Sequence, residues 1–345
     1  VNYSAVFHAV LKALGKLRKG DSVMKKKKND IPEQYKAPAL SKVKLRQKAG
    51  GAVVSIFRLV FLISVSYIIL YPLFAMVAYS VQSGADVLDS SVIWISKAPT
   101  FSNFKNAWQA LDYPTSFLQT LLVGGVSAWI EIFTCALTAY GFARFKFKGK
   151  NFLFGLVLLT AIVPVQILVI PLFLNYRYFD FAGILTLISK IIPLEQPFVD
   201  LTDTGFTFWL PSLFSVGLRS GLFIFIYRQF FMGLPKELEE ASWIDGAGPL
   251  KTFFRIVVPS SGTVFLTVTI FSVIWHWNEY YESVIFFNTA QPLAVKLANV
   301  AVELQNMRVA SNFQAPGVCA ACLLFILPML IMFLLLQKKF IQSID

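Results

Sequence analysis

Charged residues, histidines and cysteines are all scarce in this sequence. Asp, Glu, Lys and Arg together make up 14% of its 345 residues, and it contains two histidines and three cysteines. Soluble domains carry about 25% charged residues. The high apolar content, the low charge and the few cysteines available for bridges exclude a disordered chain, a disulfide scaffold and a typical soluble enzyme.

What the sequence has instead is a large apolar content with an excess of positive charge. Hydrophobic residues make up 56% of the chain, and its mean hydropathy is +0.64. The net charge is +12, from 31 Lys and Arg against 19 Asp and Glu. A basic chain can be a nucleic-acid binder, but a chain both basic and apolar indicates a membrane protein whose cations lie on one side. We therefore expect no nucleic acid among its partners.

The cysteines lie within apolar runs of the sequence. Cys319-Ala-Ala-Cys322 has the spacing of a redox or half-metal motif. No cluster of His or Cys accompanies the pair. We therefore interpret both cysteines as small apolar side chains on a buried helix and expect no metal site.

Apolar windows of about 20 residues, the length that crosses a bilayer as a helix, predict an all-α polytopic membrane protein. Prolines within these windows predict kinks or broken helices. A shorter apolar segment at 184–193 contains Lys190 and Pro193, and we interpret it as re-entrant, interfacial or looped. The six predicted transmembrane helices cover residues 53–81, 116–142, 152–175, 209–231, 261–287 and 317–337.

The distribution of Lys and Arg predicts the orientation of these spans. The two termini and the connections 143–151 and 232–259 contain 22 Lys and Arg, whereas the alternate connections 82–115, 176–208 and 288–316 contain six. Cytoplasmic connections of membrane proteins are enriched in Lys and Arg. We therefore expect both termini in the cytoplasm, which agrees with an even number of spans.

Residues 1–51 form a basic cytoplasmic extension before the predicted membrane domain, 52–345. Within it, residues 3–19 place apolar side chains on one helical face and cations largely away from that face. Such an amphipathic helix could lie on anionic lipid of the inner leaflet, and a poorly ordered tail is the alternative. Met24, followed by four lysines, resembles a natural start of the chain.

The connection 232–259 has the pattern of a helix, a break and a second helix. Pro235 suits the first turn of a helix, and the three Glu that follow it complement the positive helix end. Gly246 suits the position just after that helix, where φ is often positive, and Pro249 can begin a second helix that stops before Pro259. The first helix buries little against its own chain, which predicts that it fits the groove of another protein. Its short apolar stripe consists of Leu234, Leu238 and Ala241.

The same connection contains a motif of specific spacing. Glu240-Ala241-Ser242, followed by Gly246, Ile256 and Pro259, resembles the EAA loop of ABC importer permeases. The surrounding sequence is similar to the carbohydrate-uptake branch of that family, which includes the second maltose permease subunit (MalG-like). The similarity covers most of residues 55–340. The segments that carry it are 228–231, 138–149, 164–166, 170–172 and 277–280.

The resemblance implies a type I ABC importer permease fold in a multi-pass protein of the bacterial cytoplasmic membrane. It implies a subunit that is not an enzyme and has no cofactor, because two partner ATPase subunits bind ATP and Mg²⁺. The other implied partners are a second permease subunit (MalF-like), an extracellular or periplasmic solute-binding protein, and membrane lipid. The helix at 235–245 would be the coupling helix that seats in the ATPase, with Glu240 paired to a basic residue there. The residues implied in coupling are Glu240, Ala241, Ser242, Asp245, Gly246, Ile256 and Pro259, and Ser242 replaces the usual second Ala.

Two regions supply most of the candidates for a translocation pathway. The aromatic and polar residues at 277–280 could stack on a sugar and hydrogen-bond to it, or form an interfacial aromatic belt. Glu131 lies near the middle of the second predicted span, where a carboxylate could face a polar cavity, be protonated, or bond to a neighbouring helix. The candidates are Glu131, Gln166, Trp277, Asn278, Glu279 and Tyr280.

The function that these observations favour is import of an oligosaccharide or related sugar by ATP-driven alternating access. The same architecture could import a polyol, a glycerol phosphate or a peptide. A secondary transporter is a distant alternative, because it predicts internal repeats that the sequence does not show. No GxxxxGK[ST] motif occurs, so the chain has no P-loop for ATP. We expect the external segment 176–208 to contact the binding protein or the partner permease, with a tolerated surface insertion as the alternative.

Overall fold

The computed structural model describes the backbone of residues 39–190 and 196–342, and the side chains of 54–190 and 196–337. Within these ranges the chain is helical, apart from its connections and an isolated antiparallel bridge between Phe179 and Val199. The all-α class is therefore confirmed for the described residues. The predicted amphipathic segment 3–19 and Met24 lie outside them.

The chain divides into two compact units, Val1–Pro72 and Leu73–Asp345. Helix α1, Ala39–Ser80, contains the described residues of the first unit and continues into the second. From Val54 to Pro72 its side chains are exposed, and most of them are apolar. A helix that is apolar all round suits lipid rather than water.

In the described part of the second unit, helices α2 to α15 follow in chain order. They are α2 Gly84–Leu88, α3 Ser102–Ala110, α4 Tyr113–Arg144, α5 Lys150–Ile162, α6 Val165–Arg177, α7 Ile184–Ser189, α8 Phe206–Leu213, α9 Ser220–Gly233, α10 Glu237–Ile244, α11 Pro249–Ser260, α12 Gly262–Trp277, α13 Tyr281–Phe286, α14 Leu293–Asn306 and α15 Ser311–Gln342. Two helices contain a π-helical turn, at Leu121–Gly125 in α4 and Phe253–Val257 in α11.

Three of the described helices are long and apolar enough to cross a membrane on their own. They are Val54–Ser80 of α1, Tyr113–Arg144, which is α4, and Ser311–Gln337 of α15. They correspond to the first, second and sixth predicted spans. The number rises to five if each of two bent pairs, α5 with α6 and α11 with α12, forms one span. The count of six spans and the cytoplasmic location of the termini stay predictions.

The third predicted span is broken in its middle. Helices α5 and α6 meet at an angle of 99°, across Val163 and Pro164. Proline has no N–H to donate, and it forces the residue before it out of the helical region. Val163 is accordingly extended, with ψ of 123°. The break expected from Pro164 is therefore present.

The fourth and fifth predicted spans each contain more than one helix. The fourth, 209–231, contains the end of α8, a non-helical segment at 214–219 and most of α9. Ser215 and Arg219 have φ of 58° and 63°, left-handed values that end a helix. In the fifth, 261–287, helix α12 ends at Trp277 and α13 forms separately. A break near Pro211 agrees with the kinks or broken helices expected at prolines, although Pro211 itself lies inside α8. Hydropathy alone does not report the interruption after Trp277.

Helix α4 lies at the centre of the core of the second unit. Near its end, Tyr140 packs with Phe231 of α9 and Phe253 of α11, and all three are buried. A second buried cluster joins α3, α14 and α15 around Leu293 and Leu304. The first cluster fixes the start of the connection 232–259 against the end of α4.

Candidate functional site

The connection 232–259 folds as α10, a tight turn and α11. Gly246 follows the end of α10 and has φ of +78°, the positive value expected from the sequence. The Gly246 N–H donates to the carbonyl of Trp243 at 3.0 Å, and the Ala247 N–H donates to that of Ser242 at 3.0 Å. These bonds satisfy carbonyls at the end of α10, and Pro249 then begins α11.

Helix α10 exposes one face to the surroundings. Ile244 is 86% exposed and Leu238 is 46% exposed. Glu240 and Ala241, between them in the sequence, are exposed as well, and so is Asp245 just after the helix. A short helix with apolar and acidic side chains on its free face has the surface of a segment that binds in a partner's groove.

The opposite face of α10 is held by the end of α4. Glu239 accepts hydrogen bonds from Arg144 Nε to Oε1, at 2.6 Å, and from the Tyr140 hydroxyl to Oε2, at 3.0 Å. Arg144 also donates from a terminal guanidinium nitrogen to the carbonyl of Leu234, at 2.9 Å. The Arg144 and Glu239 side chains are 6% and 4% exposed. We name Arg144, Glu239 and Tyr140 the Arg144 cluster.

The remaining motif residues lie within the loop or at its end. Ser242 is buried, and its hydroxyl lies 3.0 Å from that of Thr252, so it joins α10 to α11 where alanine could not. Ile256 is half-buried in the π-helical turn of α11. Pro259 is exposed, close to the 85° bend between α11 and α12. The seven coupling candidates therefore lie in three places. Some are exposed on or next to α10, Ser242 contacts α11, and Ile256 and Pro259 lie in α11 near its bend with α12.

Glu131 joins three helices. It is fully buried in α4 and accepts hydrogen bonds from Ser220 of α9, at Oε1, and from Ser272 of α12, at Oε2 and 3.1 Å. Nδ1 of His276, also on α12, lies 3.8 Å from Oε2. The structure shows the hydrogen bonds to neighbouring helices that were one expectation for Glu131, and its role in a pathway stays a prediction.

Trp277 lies in the core rather than on a surface. It is 4% exposed, and its indole N–H donates to the carbonyl of Phe325 on α15 at 3.2 Å. Its ring packs against those of Phe117 and Phe325, with centroids 6.0 and 5.7 Å apart. In this arrangement the ring has no free face on which a sugar could stack.

The other pathway candidates differ in their exposure and in their hydrogen bonds. Asn278 is exposed and donates to the carbonyl of Ile274 at 2.7 Å. Glu279 is half-buried and accepts the Glu282 N–H at 2.9 Å. Tyr280 is half-buried, whereas Gln166 is exposed in the first turn of α6.

The cysteines are free thiols. Cys319 and Cys322 are half-buried on α15, and Cys135 is buried on α4. Across the described ranges, no group of three or more His, Cys, Asp or Glu is arranged for a metal ion. Cys135 belongs to the apolar cluster around α4, and its thiol also donates to the carbonyl of Ser220 at 3.8 Å.

The residues that hold the candidates in place are not among those predicted from the sequence. Arg144 and Tyr140 lie in the segment 138–149, which carries part of the family resemblance, but nothing local pairs them with Glu239. The sequence offered one indication of this contact, an acidic residue, Glu239, in a connection on the side that is rich in Lys and Arg. Ser220 and Ser272 had no signal, since serine in an apolar helix is common.

Comparison with known proteins gives the family. The family described as binding-protein-dependent transport system inner membrane component matches residues 132–345. The melibiose/raffinose/stachyose import permease protein MelC of Bacillus subtilis is 32% identical over 261 residues, which are 74% of this chain and 84% of MelC. The sn-glycerol-3-phosphate transport system permease protein UgpE of Pectobacterium atrosepticum is 28% identical over 295 residues, 84% of this chain and 95% of UgpE.

The fold agrees with these sequence relationships. In the crystal structure of a bacterial ABC transporter involved in the import of the acidic polysaccharide alginate, one chain superimposes with a TM-score of 0.67 at 21% identity. The match covers 84% of this chain and 98% of that one. The family match includes α10, α11 and the turn between them. The chain therefore belongs to the family of binding-protein-dependent transport system inner membrane components, and it is a permease subunit of an ABC importer.

Proposed function

We propose that this permease subunit imports an oligosaccharide or a related sugar by ATP-driven alternating access. The observation that carries the proposal is the free face of α10, where Leu238, Glu240 and Ile244 are exposed on a helix whose other face is held to α4. Such a face requires a partner to cover it. In this proposal the partner is an ATPase subunit, and a basic residue in its cleft pairs with Glu240.

The ATP chemistry belongs to partner subunits in this proposal. ATP and Mg²⁺ bind to a pair of ATPase subunits, and ATP favours their closed arrangement. Because α10 is seated in them, closure shifts the whole assembly between its inward- and outward-facing states. The seven motif residues, from Glu240 to Pro259, shape the contact and the hinge through which that movement enters the permease domain, 52–345.

The complete importer would contain a second permease subunit, MalF-like, two ATPase subunits and a solute-binding protein, in the bacterial cytoplasmic membrane. This chain would cross the membrane six times with both termini in the cytoplasm. On the outer side, the connections 176–208 and 288–316 would meet the solute-binding protein. Asp203 supports a joint surface, because its Oδ1 accepts the N–H groups of Asn288 at 2.6 Å and Thr289 at 3.0 Å.

The names of the relatives support a sugar as the transported substrate and leave one alternative substrate. MelC imports melibiose, raffinose and stachyose by its name, and its 32% identity favours an α-galactoside or another oligosaccharide. UgpE is named for sn-glycerol 3-phosphate, so a glycerol phosphate is the second candidate substrate.

The test is to purify the native complex from membranes through an affinity tag on this chain. ATP hydrolysis is then measured with the copurified solute-binding protein loaded with raffinose, stachyose or sn-glycerol 3-phosphate. Stimulation by either sugar supports the proposal, and stimulation by glycerol phosphate alone supports the alternative. A chain that purifies without an ATPase and transports without ATP contradicts both.

A further inference from the structure

Helix α10 is attached to the rest of the described chain by few side chains. The Ser242 hydroxyl reaches Thr252, which lies within the same connection. Glu239 is the residue of α10 whose side-chain hydrogen bonds leave the connection, and both bonds end on α4. A displacement of α10 therefore reaches α4 most directly through Glu239.

This attachment is stiff. Each carboxylate oxygen of Glu239 has its own donor, Arg144 at one and Tyr140 at the other, and hydrogen bonds between charged groups are short and directional. The further hydrogen bond from Arg144 to the Leu234 carbonyl also holds the guanidinium against the backbone at the start of the connection. Because both charges are buried, neither can leave its partner without a large desolvation cost. The contact therefore resists both pulling and pushing.

Helix α4 leads from this contact into the membrane domain. Earlier in the same helix, Glu131 accepts hydrogen bonds from Ser220 of α9 and Ser272 of α12. A shift of α4 at Arg144 is thus shared with two further helices through a second buried polar contact. The two contacts make α4 a continuous physical connection from α10 to the interior.

We propose that Arg144 and Glu239, supported by Tyr140, are positioning residues that convert movement of α10 into movement of α4. The inference rests on the proposed function, in which an ATPase subunit moves α10. Neither residue contacts ATP or the transported sugar in this scheme. Loss of the contact would leave ATP hydrolysis in place and disconnect it from the membrane helices.

The test reads conformation directly, so it needs no identified substrate. In a chain whose three cysteines are replaced by alanine, Asn278→Cys provides a thiol at an exposed position. Two quantities are measured on the purified complex: ATP hydrolysis, and the change in maleimide reactivity of that thiol when Mg–AMP-PNP is added. The variants are Glu239→Leu, Arg144→Met, the two together, and Glu239→Gln. Asp112→Asn, at an exposed acid that directly precedes α4, is the matched control, because Asp112 lies outside α10 and outside the Arg144 cluster.

We expect each single apolar variant to hydrolyse ATP within about twofold of the parent while its reactivity change falls about tenfold or more. The double variant should show the same loss, because it removes both buried charges without restoring the contact. Glu239→Gln keeps an acceptor for Arg144 and should retain a larger part of the change than Glu239→Leu. Asp112→Asn should retain the full change.

A merely structural role predicts a different pattern. Replacing a buried ion pair by two apolar side chains often restores stability, so recovery of the reactivity change in the double variant overturns the proposal. A full change in both single variants, or loss of ATPase subunits from the double variant, overturns it as well. If the parent with Asn278→Cys copurifies with no ATPase subunit and hydrolyses no ATP, the proposed function itself fails, and the two failures are thereby distinguished.

Discussion

At the scale of the residue, Gly246 shows how one backbone angle shapes the contact with a partner. A Cβ built on Gly246 has no described heavy atom within 4 Å, so a side chain there meets open space. The cost of replacing the glycine comes from its φ of +78°, and a left-handed angle costs an ordinary residue about 1–2 kcal/mol. A substitution therefore turns α10 relative to α11 without disturbing a core.

We predict that Gly246→Leu inserts into the membrane normally and uncouples ATP hydrolysis from uptake. The measurement is the ratio of substrate uptake to ATP hydrolysed in vesicles that contain the reconstituted complex. Gly248→Leu is the control, because Gly248 has φ of −73° and equally open surroundings among the described residues. Equal ratios for the two variants would show that the positive φ is unimportant.

Glu131 gives a second prediction at this scale, on stability. Glu131→Ala leaves the hydroxyls of Ser220 and Ser272 without their acceptor in a buried site, at a cost of about 1–3 kcal/mol. Glu131→Gln keeps an oxygen and a similar shape, so we expect a smaller loss of stability and uptake close to that of the parent. Thermal unfolding of the detergent-solubilised complex measures the difference. If Glu131→Gln is stable and yet abolishes uptake, the carboxylate takes part in transport itself.

The residues of the site differ in how far the sequence could predict them. Gly246 and Glu240 belong to a motif contained within one connection, so spacing alone identifies them. The contacts of Glu131 join positions separated by 89 and 141 residues along the chain. No local pattern records such a pairing, because it results from the packing of helices rather than from the propensity of any segment.

At the scale of the element, hydropathy predicts long helices well and turns within apolar segments poorly. The first predicted span, 53–81, ends one residue after α1 does, at Ser80, and α1 is already helical where the span begins. Pro164 also indicates the break between α5 and α6 correctly. The turn at 214–219 follows Pro211 and contains Gly217, but its left-handed residues are Ser215 and Arg219, which are neither Gly nor Asn. Tertiary packing, not local propensity, holds these two residues.

The packing of α9 on α5 gives a prediction for the elements themselves. A Cβ on Gly221 of α9 would lie 2.6 Å from the carbonyl oxygen of Val157 on α5 and 2.6 Å from the Thr160 hydroxyl. Because a backbone atom cannot move aside cheaply, Gly221→Val should push the helices apart and destabilise the protein by about 1–3 kcal/mol. Thermal unfolding checks this, with Gly155→Val as the control, since Gly155 of α5 has no described neighbour within 4 Å. Equal destabilisation by both substitutions would contradict the close approach.

At the scale of the whole molecule, the predicted topology places most of the positive charge on one side of the membrane. Of 31 Lys and Arg, 22 lie in the termini and the connections 143–151 and 232–259, and six lie in the alternate connections. The acidic face of α10 lies within this basic side, which suits a partner that offers a basic cleft. The proposed orientation and the proposed ATPase contact therefore depend on each other, and a test of one constrains the other.

We predict that a thiol at residue 91 faces outward and a thiol at residue 148 faces the cytoplasm. Ser91 and Lys148 are both exposed, and they lie on opposite sides of the second predicted span. In the chain without its native cysteines, Ser91→Cys should react with a membrane-impermeant maleimide in intact cells. Lys148→Cys should react only after the membrane is permeabilised. The physical reason is the retention of Lys and Arg on the cytoplasmic side during insertion.

The reverse labelling pattern would place α10 outside the cell, where no ATPase subunit could reach it, and would end the proposed function together with the orientation. Labelling of both thiols in intact cells would mean that both ends of α4 lie outside the cell. The length of α4, 32 residues, and its apolar composition suit a full crossing of the membrane instead. The expected pattern leaves α10 and the Arg144 cluster on the side where ATP is available. A movement generated there can then enter the membrane domain along α4.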